Sequence, residues 1–496
     1  MKSLILLVPA LALLVTSCEL SDNIDPKAPI EVPVEALWTN ALRDGLAHID
    51  NMDQNANISR FLCQYSSQMQ YSDPSRYVFS DRQIPDGIWN TSYLALRDLK
   101  EVKTLLNKAS YYGNESLRRN IANKMAITDI VEVLMYQNLV DLFGNVPYTQ
   151  ALSSGENPNP AYDDALSIYM DLQDRLSTAI KSLSTGVNNG SWGAEDLVYS
   201  GDVTMWRKFA ATLKLRMGMR LAELDPVTAR DNVSEAVDAG CLEAGEAMQL
   251  PWLGVPPHVN TIYNVFIVAN RNDYVPSKTI IDIMEAMADA RMPLYFTQVD
   301  TSSSPGVEQW AYIGLPYGLV GCCSYNGYSH FGDIMFAPDF PATMTCHAEV
   351  EFLLAEAAAR GMNVAGGTAR EHYEAGIIES HAFWGVSMDP AYLSQADVAW
   401  DDASARELIG IQKWIALYNR GNEGYASWRC LDWPVLTPPE DMSYEDIPMR
   451  MPYPYNEPNL NGDNYQAAAE AIGGDSVRTL IFWDAMISTE NPPASF

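Results

Sequence analysis

The stretch LRRNIANKMAITDIVEVLMYQNLVDLFG, residues 117–144, predicts a long amphipathic helix. Its apolar side chains recur at steps of three and four residues, which places them on one face of an α-helix. Gly144 follows the last of them and is a natural end for the helix, because glycine adopts the backbone conformation that closes a helix at low cost. The stretch therefore favours a fold of packed helices. The apolar stripe consists of Ile127, Val131, Met135, Leu139 and Leu142.

The same spacing recurs in the next part of the chain. Residues 163–183 and 204–224 carry apolar stripes at helical steps. Asp225-Pro226 breaks the second of these helices, and a shorter helix returns at 228–240. A long helix, a tight break and a returning helix make an αα-hairpin.

A second helical block lies late in the chain. It covers residues 345–361, 367–386 and 405–419, with Thr345 and Thr368 as the predicted N-terminal caps of the first two helices. Several helix pairs of about 30–40 residues are typical of tetratricopeptide-like stacking. The predicted fold class is mainly α: tetratricopeptide-like helix pairs form a scaffold with long irregular loops and a few short strands.

Two segments lack helical periodicity. Residues 241–344 and 431–465 are rich in glycine, proline, serine and aromatic residues, which indicates loops. Long irregular loops are usually functional or disordered. The many aromatic residues argue against disorder, so we expect ligand contacts in these loops.

The N-terminus has the features of an export signal. Residues 1–17 combine a positive start with an apolar run of signal-peptide length, which is too short to span a membrane. Small residues precede Cys18 and resemble the bacterial lipoprotein box, in which the cysteine becomes the first mature residue and carries lipid. The alternative is a secretory signal that leaves Cys18 as a free thiol. Residues 18–36 are predicted to be a flexible tether, and residues 37–496 a single domain.

Composition restricts the partners and the cofactors. The formal net charge of −31 repels nucleic acid and anionic lipid, so no nucleic-acid partner is expected and a neutral or cationic ligand is favoured. The six cysteines other than Cys18 form no C-x-x-C pair, which argues against a zinc ribbon. An exported chain permits disulfides, but a chain of this size does not need them, so buried thiols are favoured. No metal ion or cofactor is predicted.

Five segments resemble, in this order, the SusD/RagB family of outer-membrane nutrient-binding lipoproteins. One departure is Arg429-Cys430, where the family often has a basic pair. The resemblance covers essentially the whole mature chain. The five segments are LVDLFGNVPYTQAL (139–152), MTCHAEVEFLLAEAAARG (344–361), HYEAGIIESHAFWGV (372–386), IGIQKWIALYN (409–419) and RMPYPYNEPNLN (450–461).

The resemblance implies a function in nutrient import. It implies a lipoprotein of the outer membrane, anchored at Cys18 and facing the cell exterior, that binds a glycan and delivers it to a SusC-like TonB-dependent β-barrel transporter. Glu19, Asp22 and Asp25 resemble the signal that sends such lipoproteins to the surface. Peptide capture by the same machinery stays the nearest alternative, and a structural adhesin is a third.

The sequence contains no complete catalytic motif. A G-x-S-x-G elbow and a phosphate loop are absent. His347-x-Glu349 resembles the start of a deaminase signature, but its P-C-x-x-C half is missing. His372 and His381 lie on different helical faces and do not suggest a metal site. We therefore predict a protein that is not an enzyme, although a surface glycoside hydrolase stays open because carboxylate pairs arise by chance among 63 acidic residues.

Aromatic residues in the loops are the candidate sugar contacts. Pyranose rings have apolar faces on which aromatic rings stack, and polar edges that amide and carboxylate groups bind. The alternative is that these rings attach the long loops to the scaffold. Trp89, Tyr93, Trp206 and Trp414 fall on helical stripes instead and are expected in the core. The predicted ligand-binding residues are Trp310, Tyr312, Tyr325, Tyr328, Asn326, Trp252, Tyr71 and Tyr77.

Overall fold

The computed structural model describes residues 32–51, 57–110, 112–153, 155, 157–302, 308–321, 324–362, 366–484 and 489–496. The predicted signal peptide, Cys18 and most of the predicted tether lie outside the described residues. The first helix of the described residues begins at Val34, so residues 34–36 of the predicted tether are helical.

Helices dominate the described chain, which confirms the predicted fold class. The short helix Thr261–Tyr263 continues directly into a π-helical turn, Asn264–Val268. The α-helices are α1 (Val34–Asp50), α2 (Ser59–Leu62), α3 (Ile84–Lys108), α4 (Glu115–Phe143), α5 (Ala165–Gly186), α6 (Val203–Arg220), α7 (Pro226–Ala239), α8 (Thr261–Tyr263), α9 (Lys278–Ala286), α10 (Met292–Tyr295), α11 (His347–Ala359), α12 (Ala369–Phe383), α13 (Ala405–Ala416), α14 (Gly421–Leu431), α15 (Glu457–Leu460) and α16 (Gly462–Ala471).

The long helices pack in pairs. The α1 helix lies against α3, α4 against α5, α6 against α7 and α11 against α12. Neighbouring pairs also touch, since α3 packs on α4, α5 on α6 and α6 on α11. The result is a continuous helical scaffold that joins the early and the late helical blocks.

The helix of the opening stretch forms as its pattern predicts. The α4 helix begins at Glu115 and is capped by Asn114, whose side chain accepts a hydrogen bond from Leu117 N at 3.1 Å. It ends at Gly144, whose φ of 79° is costly for other residues. Every member of the predicted apolar stripe is buried. Local sequence and tertiary packing agree here.

Of the two predicted caps, one is confirmed and one is wrong. Thr368 forms a reciprocal capping box with Glu371 at the start of α12. Thr345 does not cap α11, because it lies in the strand Ala342–Cys346 opposite Met248 and pairing holds its backbone extended. Its hydroxyl donates instead to Glu349 Oε2 at 2.9 Å.

The strands are short and pair two by two. All the pairings among the described strands are antiparallel, and they attach loops to the scaffold: β1 with β5, β2 with β3, β4 with β8 and β6 with β7. The strands are β1 (Ser66–Gln68), β2 (Val146–Pro147), β3 (Tyr162–Asp163), β4 (Ala247–Leu250), β5 (Tyr274–Pro276), β6 (Val299–Asp300), β7 (Trp310–Ala311) and β8 (Ala342–Cys346).

One large apolar core runs through the scaffold. It contains Trp89, Trp206 and Trp414, as predicted. Tyr93 packs partly buried against this core, and its hydroxyl donates to Pro147 O at 2.6 Å. A second, small cluster of Met69, Val275 and Leu315 lies under the loops.

Buried ion pairs cross the core. Arg216 on α6 binds the carboxylate of Glu349 on α11 at 2.6 Å, and Arg420 approaches the same carboxylate at 3.1 Å. Arg220 contacts Glu423 at 2.7 Å and Asp141 at 3.3 Å. These contacts connect α4, α6, α11 and α14 and fix the relation between the helical blocks.

Membrane spans, metal sites and cysteines can also be compared with the described residues. Within the described residues, no helix combines the length and the apolarity that a membrane crossing needs. The same residues contain no cluster of three side chains suited to a metal ion. Cys63 and Cys346 are buried free thiols, and Cys241 and Cys430 are half-buried ones.

Candidate functional site

A groove opens where the loops meet the helical scaffold. Its volume is about 950 Å³, a size suited to several sugar units or to a short peptide. Four segments that are distant in sequence form its walls: the 3₁₀ turn Pro74–Arg76, the first turn of α9, and the loops 316–320 and 437–441. Tertiary folding alone brings these segments together.

The wall at α9 is built by local backbone contacts. Ser277 caps the helix by accepting a hydrogen bond from Ile280 N at 3.4 Å. Lys278 N donates to Leu315 O at 2.8 Å, which joins the helix to the loop that follows. Gly314 permits this approach, since a Cβ there would lie 2.5 Å from the Cα of Lys278.

A tight turn at Gly318 shapes the opposite wall. Its φ is +68°, and a Cβ at this position would lie 2.6 Å from Cγ of Pro439. Glycine therefore allows loop 316–320 to lie directly on loop 437–441. Gly318 N also donates to Ser67 Oγ at 3.3 Å, which connects the turn to β1.

Arg76 links three of the walls. One edge of its guanidinium donates to Gly318 O at 3.1 Å. Another nitrogen contacts both carboxylate oxygens of Asp441, at 2.7 and 2.9 Å. A planar guanidinium suits this arrangement because its donors have a fixed geometry. Arg76 therefore positions the loops that border the groove.

The lining of the groove is amphipathic. Proline and aliphatic side chains offer apolar surface, and hydroxyl and charged groups lie beside them, a combination typical of sites for small polar ligands. Burial raises the pKa of Tyr317, so its phenol stays neutral. The side chains that line the groove are Arg76, Lys278, Thr279, Asp282, Pro316, Tyr317, Leu319, Val320, Thr437, Pro438, Glu440 and Asp441, together with Gly318.

Three of the predicted ligand-binding residues lie next to the groove without lining it. Tyr77 packs beside Tyr317, with 6.1 Å between the ring centroids. Tyr325 and Tyr328 pack on the small apolar cluster that supports Leu319. His330 covers one face of the Tyr325 ring at 3.9 Å, which leaves at most the other face for a sugar.

Three others are solvent-exposed. Trp310 is 53% exposed in β7, and its indole N–H approaches Glu308 Oε2 at 3.4 Å. Tyr71 is 63% exposed, with the guanidinium of Arg82 5.4 Å from its ring centroid. Asn326 is exposed in the 3₁₀ turn Tyr325–Gly327. These side chains are accessible, but they do not belong to the groove lining.

The last two, Tyr312 and Trp252, are half-buried against the main core. Their rings attach loops to the scaffold, which is the alternative that the sequence left open. Burial also raises the pKa of Tyr312.

Sequence reasoning did not single out the polar residues of the groove. Lys278 and Asp282 were missed because α9 is only nine residues long and lies in a segment that lacks a repeated helical pattern. Glu440 and Asp441 lie in the second loop-rich segment, in the run TPPED, whose prolines and adjacent acidic residues indicate only an exposed loop. No local pattern predicts that these residues meet Arg76.

The fold and the groove can be compared with known proteins. A profile for SusD-like proteins, described as "Starch-binding associating with outer membrane", matches residues 26–454. The chain belongs to this SusD-like family. The resemblance drawn from five short segments is thereby confirmed, and the family is one associated with the outer membrane. No curated protein sequence matches the chain significantly.

Solved structures of SusD homologues share this fold. A SusD homologue from Bacteroides uniformis is 25% identical, with a TM-score of 0.75 over 91% of this chain and 99% of its own. A SusD-like protein from Bacteroides thetaiotaomicron is 24% identical, with a TM-score of 0.78 over 92% and 100%. A chitin-binding SusD homologue from Flavobacterium johnsoniae is 22% identical, with a TM-score of 0.76 over 91% and 99%.

Proposed function

We propose that this SusD-like protein binds a glycan in the groove at the cell surface and passes it to a SusC-like TonB-dependent β-barrel transporter. The amphipathic lining of the groove is the observation that carries the proposal. Membership of a family described as starch-binding and associating with the outer membrane supports it. The chitin-binding homologue supports a glycan as the ligand class.

The groove offers both kinds of contact that a sugar needs. Pro316, Val320 and Pro438 provide apolar surface for the C–H faces of pyranose rings. Thr279 and Thr437 lie among them with hydroxyl groups that suit the polar edges. Binding of this kind requires shape and hydrogen bonds but no bond cleavage. We therefore propose a binding protein and not an enzyme.

Lipid attachment at Cys18 would hold the protein at the membrane. Stable anchoring takes more than one acyl chain, because a single chain gives only marginal, reversible binding. A diacylated or triacylated cysteine satisfies this requirement. The transporter partnership and the outward orientation belong to the same proposal.

Obstructing the groove tests the proposed site. Val320 lines the groove and is 59% exposed, so Val320→Trp should fold normally and fill part of the groove. We expect affinity for maltoheptaose or chitohexaose, measured by calorimetry, to fall at least about tenfold, because a blocked groove loses its apolar contacts.

Leu253→Trp is the matched control. Leu253 is 72% exposed and lies outside the groove lining, so this variant adds the same ring elsewhere. It should bind like the wild type. Equal affinities for all three proteins would place the glycan elsewhere, with Trp310 and Tyr325 the next candidates.

A further inference from the structure

The charges in the groove are mostly neutralised by one another. Five charged side chains line it. Arg76 pairs with Asp441 at 2.7 Å, and Lys278 pairs with Asp282 one helical turn later. Glu440 is exposed and has no hydrogen bond or ion pair with any described residue. One carboxylate in the lining is therefore free to meet a ligand.

The Arg76 guanidinium is already paired with a carboxylate. Two of its three nitrogens donate, one to Gly318 O and the other to both oxygens of Asp441. The hydrogen bond from Arg76 lowers the pKa of Asp441, which favours the ionised form of this carboxylate. A sugar carboxylate or sulfate that approached Arg76 would meet the negative charge of Asp441 beside it.

The net charge of the whole molecule also disfavours anionic ligands. With 63 acidic and 32 basic residues, the chain has a net charge of −31. Such an excess produces a negative potential that attracts cations and repels anions, and low ionic strength strengthens this effect. An amine-bearing ligand is favoured both by this field and by the unpaired carboxylate in the groove.

We propose that the groove selects glycans by charge: it binds sugars with free amines more tightly than neutral sugars and excludes uronic-acid sugars, and Glu440 receives the amine. This inference rests on the proposed function, because it assumes that the groove is the glycan site. Glu440 acts as a specificity-determining residue. The ligand class is an amine-bearing hexosamine polymer.

Matched hexasaccharides test the inference. Calorimetry would compare a glucosamine hexamer, its N-acetylated counterpart and a hyaluronan hexamer, at a pH where the free amines are protonated. The wild type should bind the amine hexamer about tenfold more tightly than the N-acetylated one and should not bind hyaluronan measurably. Raising the salt concentration should reduce the preference.

Two variants distinguish the effect of Glu440 from the effect of the negative potential of the whole protein. Glu440→Gln should weaken binding of the amine hexamer about two- to fivefold, as expected for an exposed ion pair, and leave the N-acetylated hexamer unaffected. Glu101→Gln removes an exposed carboxylate of α3 outside the groove and should change neither affinity.

The outcomes distinguish this inference from the proposed function. Val320→Trp should weaken every hexamer that binds. Suppose that Val320→Trp weakens binding but the wild type shows no preference for amines, or Glu440→Gln keeps the full preference. Charge selection is then overturned, and the groove remains the glycan site. If Val320→Trp changes no affinity, the proposed site and the charge selection fail together.

Discussion

Glu349 illustrates, at the scale of the residue, how a carboxylate stays ionised in an apolar core. Burial alone would raise its pKa, but Arg216 and Arg420 lower the pKa to about 2. The sequence shows Glu349 only as part of an incomplete deaminase-like signature, His347-x-Glu349. It could not identify the partners, since Arg216 is more than a hundred positions away and only the packing of α6 on α11 brings the charges together.

Glu349→Gln should destabilise the fold by about 3–5 kcal/mol, because removing one member of a buried ion pair leaves uncompensated charge in a low-dielectric core. Urea unfolding would measure this loss. The exposed variant Glu101→Gln serves as the control and should change the free energy of unfolding by less than about 0.5 kcal/mol. A similarly small change for Glu349→Gln would contradict a structural role for the carboxylate.

His347 has hydrogen-bond acceptors at both of its ring nitrogens. Its Nδ1 lies 2.8 Å from Leu242 O and its Nε2 3.1 Å from Glu351 Oε1, so both ring nitrogens face acceptors. Burial would lower its pKa, but the hydrogen bonds to Glu351 and Leu242 raise it overall. Glu351 also accepts from His372 Nδ1 at 2.7 Å.

The charge of His347 should make stability depend on pH. A raised pKa in the folded state means that its contribution is fully present below the unfolded pKa of about 6.5 and is lost as pH rises through the folded pKa. The midpoint of urea unfolding should therefore fall over this range. His347→Gln should flatten that part of the profile; an unchanged profile for this variant would refute the assignment.

At the scale of the element, periodic helices were predictable and loop contacts were not. The α4 helix and the Thr368 cap follow from local pattern. The prediction that Thr345 caps a helix was wrong, because pairing of β8 with β4 overrides the preference of threonine for a cap position. The groove walls could not be predicted, since Arg76, loop 316–320 and loop 437–441 meet only after folding.

Arg76→Gln should loosen the groove without unfolding the scaffold. The substitution removes the bidentate contact to Asp441 and weakens the contact to Gly318, so both loops lose a shared anchor. Hydrogen exchange should become faster in segments 316–320 and 437–441 and stay unchanged in α4. Arg97→Gln, at an exposed pair on α3, is the control; equal exchange in both variants would argue against a positioning role.

At the scale of the whole molecule, the family connects the chain with the outer membrane. A net charge of −31 disfavours a nucleic-acid partner, and the SusD-like family is described as associating with the outer membrane. The resemblance of five segments predicted the family. It did not locate the ligand, because those segments lie mainly in helices that build the scaffold and not in the loops that form the groove.

Anchoring at Cys18 is testable in cells. Labelled palmitate should be incorporated into the wild-type protein, and the protein should sediment with outer membranes. Cys18→Ala should abolish both, because a chain without acyl groups loses its membrane affinity. Cys241→Ala provides the control for a cysteine inside the fold. Equal labelling of the Cys18→Ala protein would remove the basis for surface display.

The most direct measurement is a crystal structure of the mature protein with bound oligosaccharide, either maltoheptaose or chitohexaose, whichever binds more tightly. We expect sugar density in the groove, with a pyranose face on Val320 and polar edges near Thr279 and Thr437. Density on Trp310 and Tyr325 with an empty groove would contradict the assignment of the groove as the glycan site.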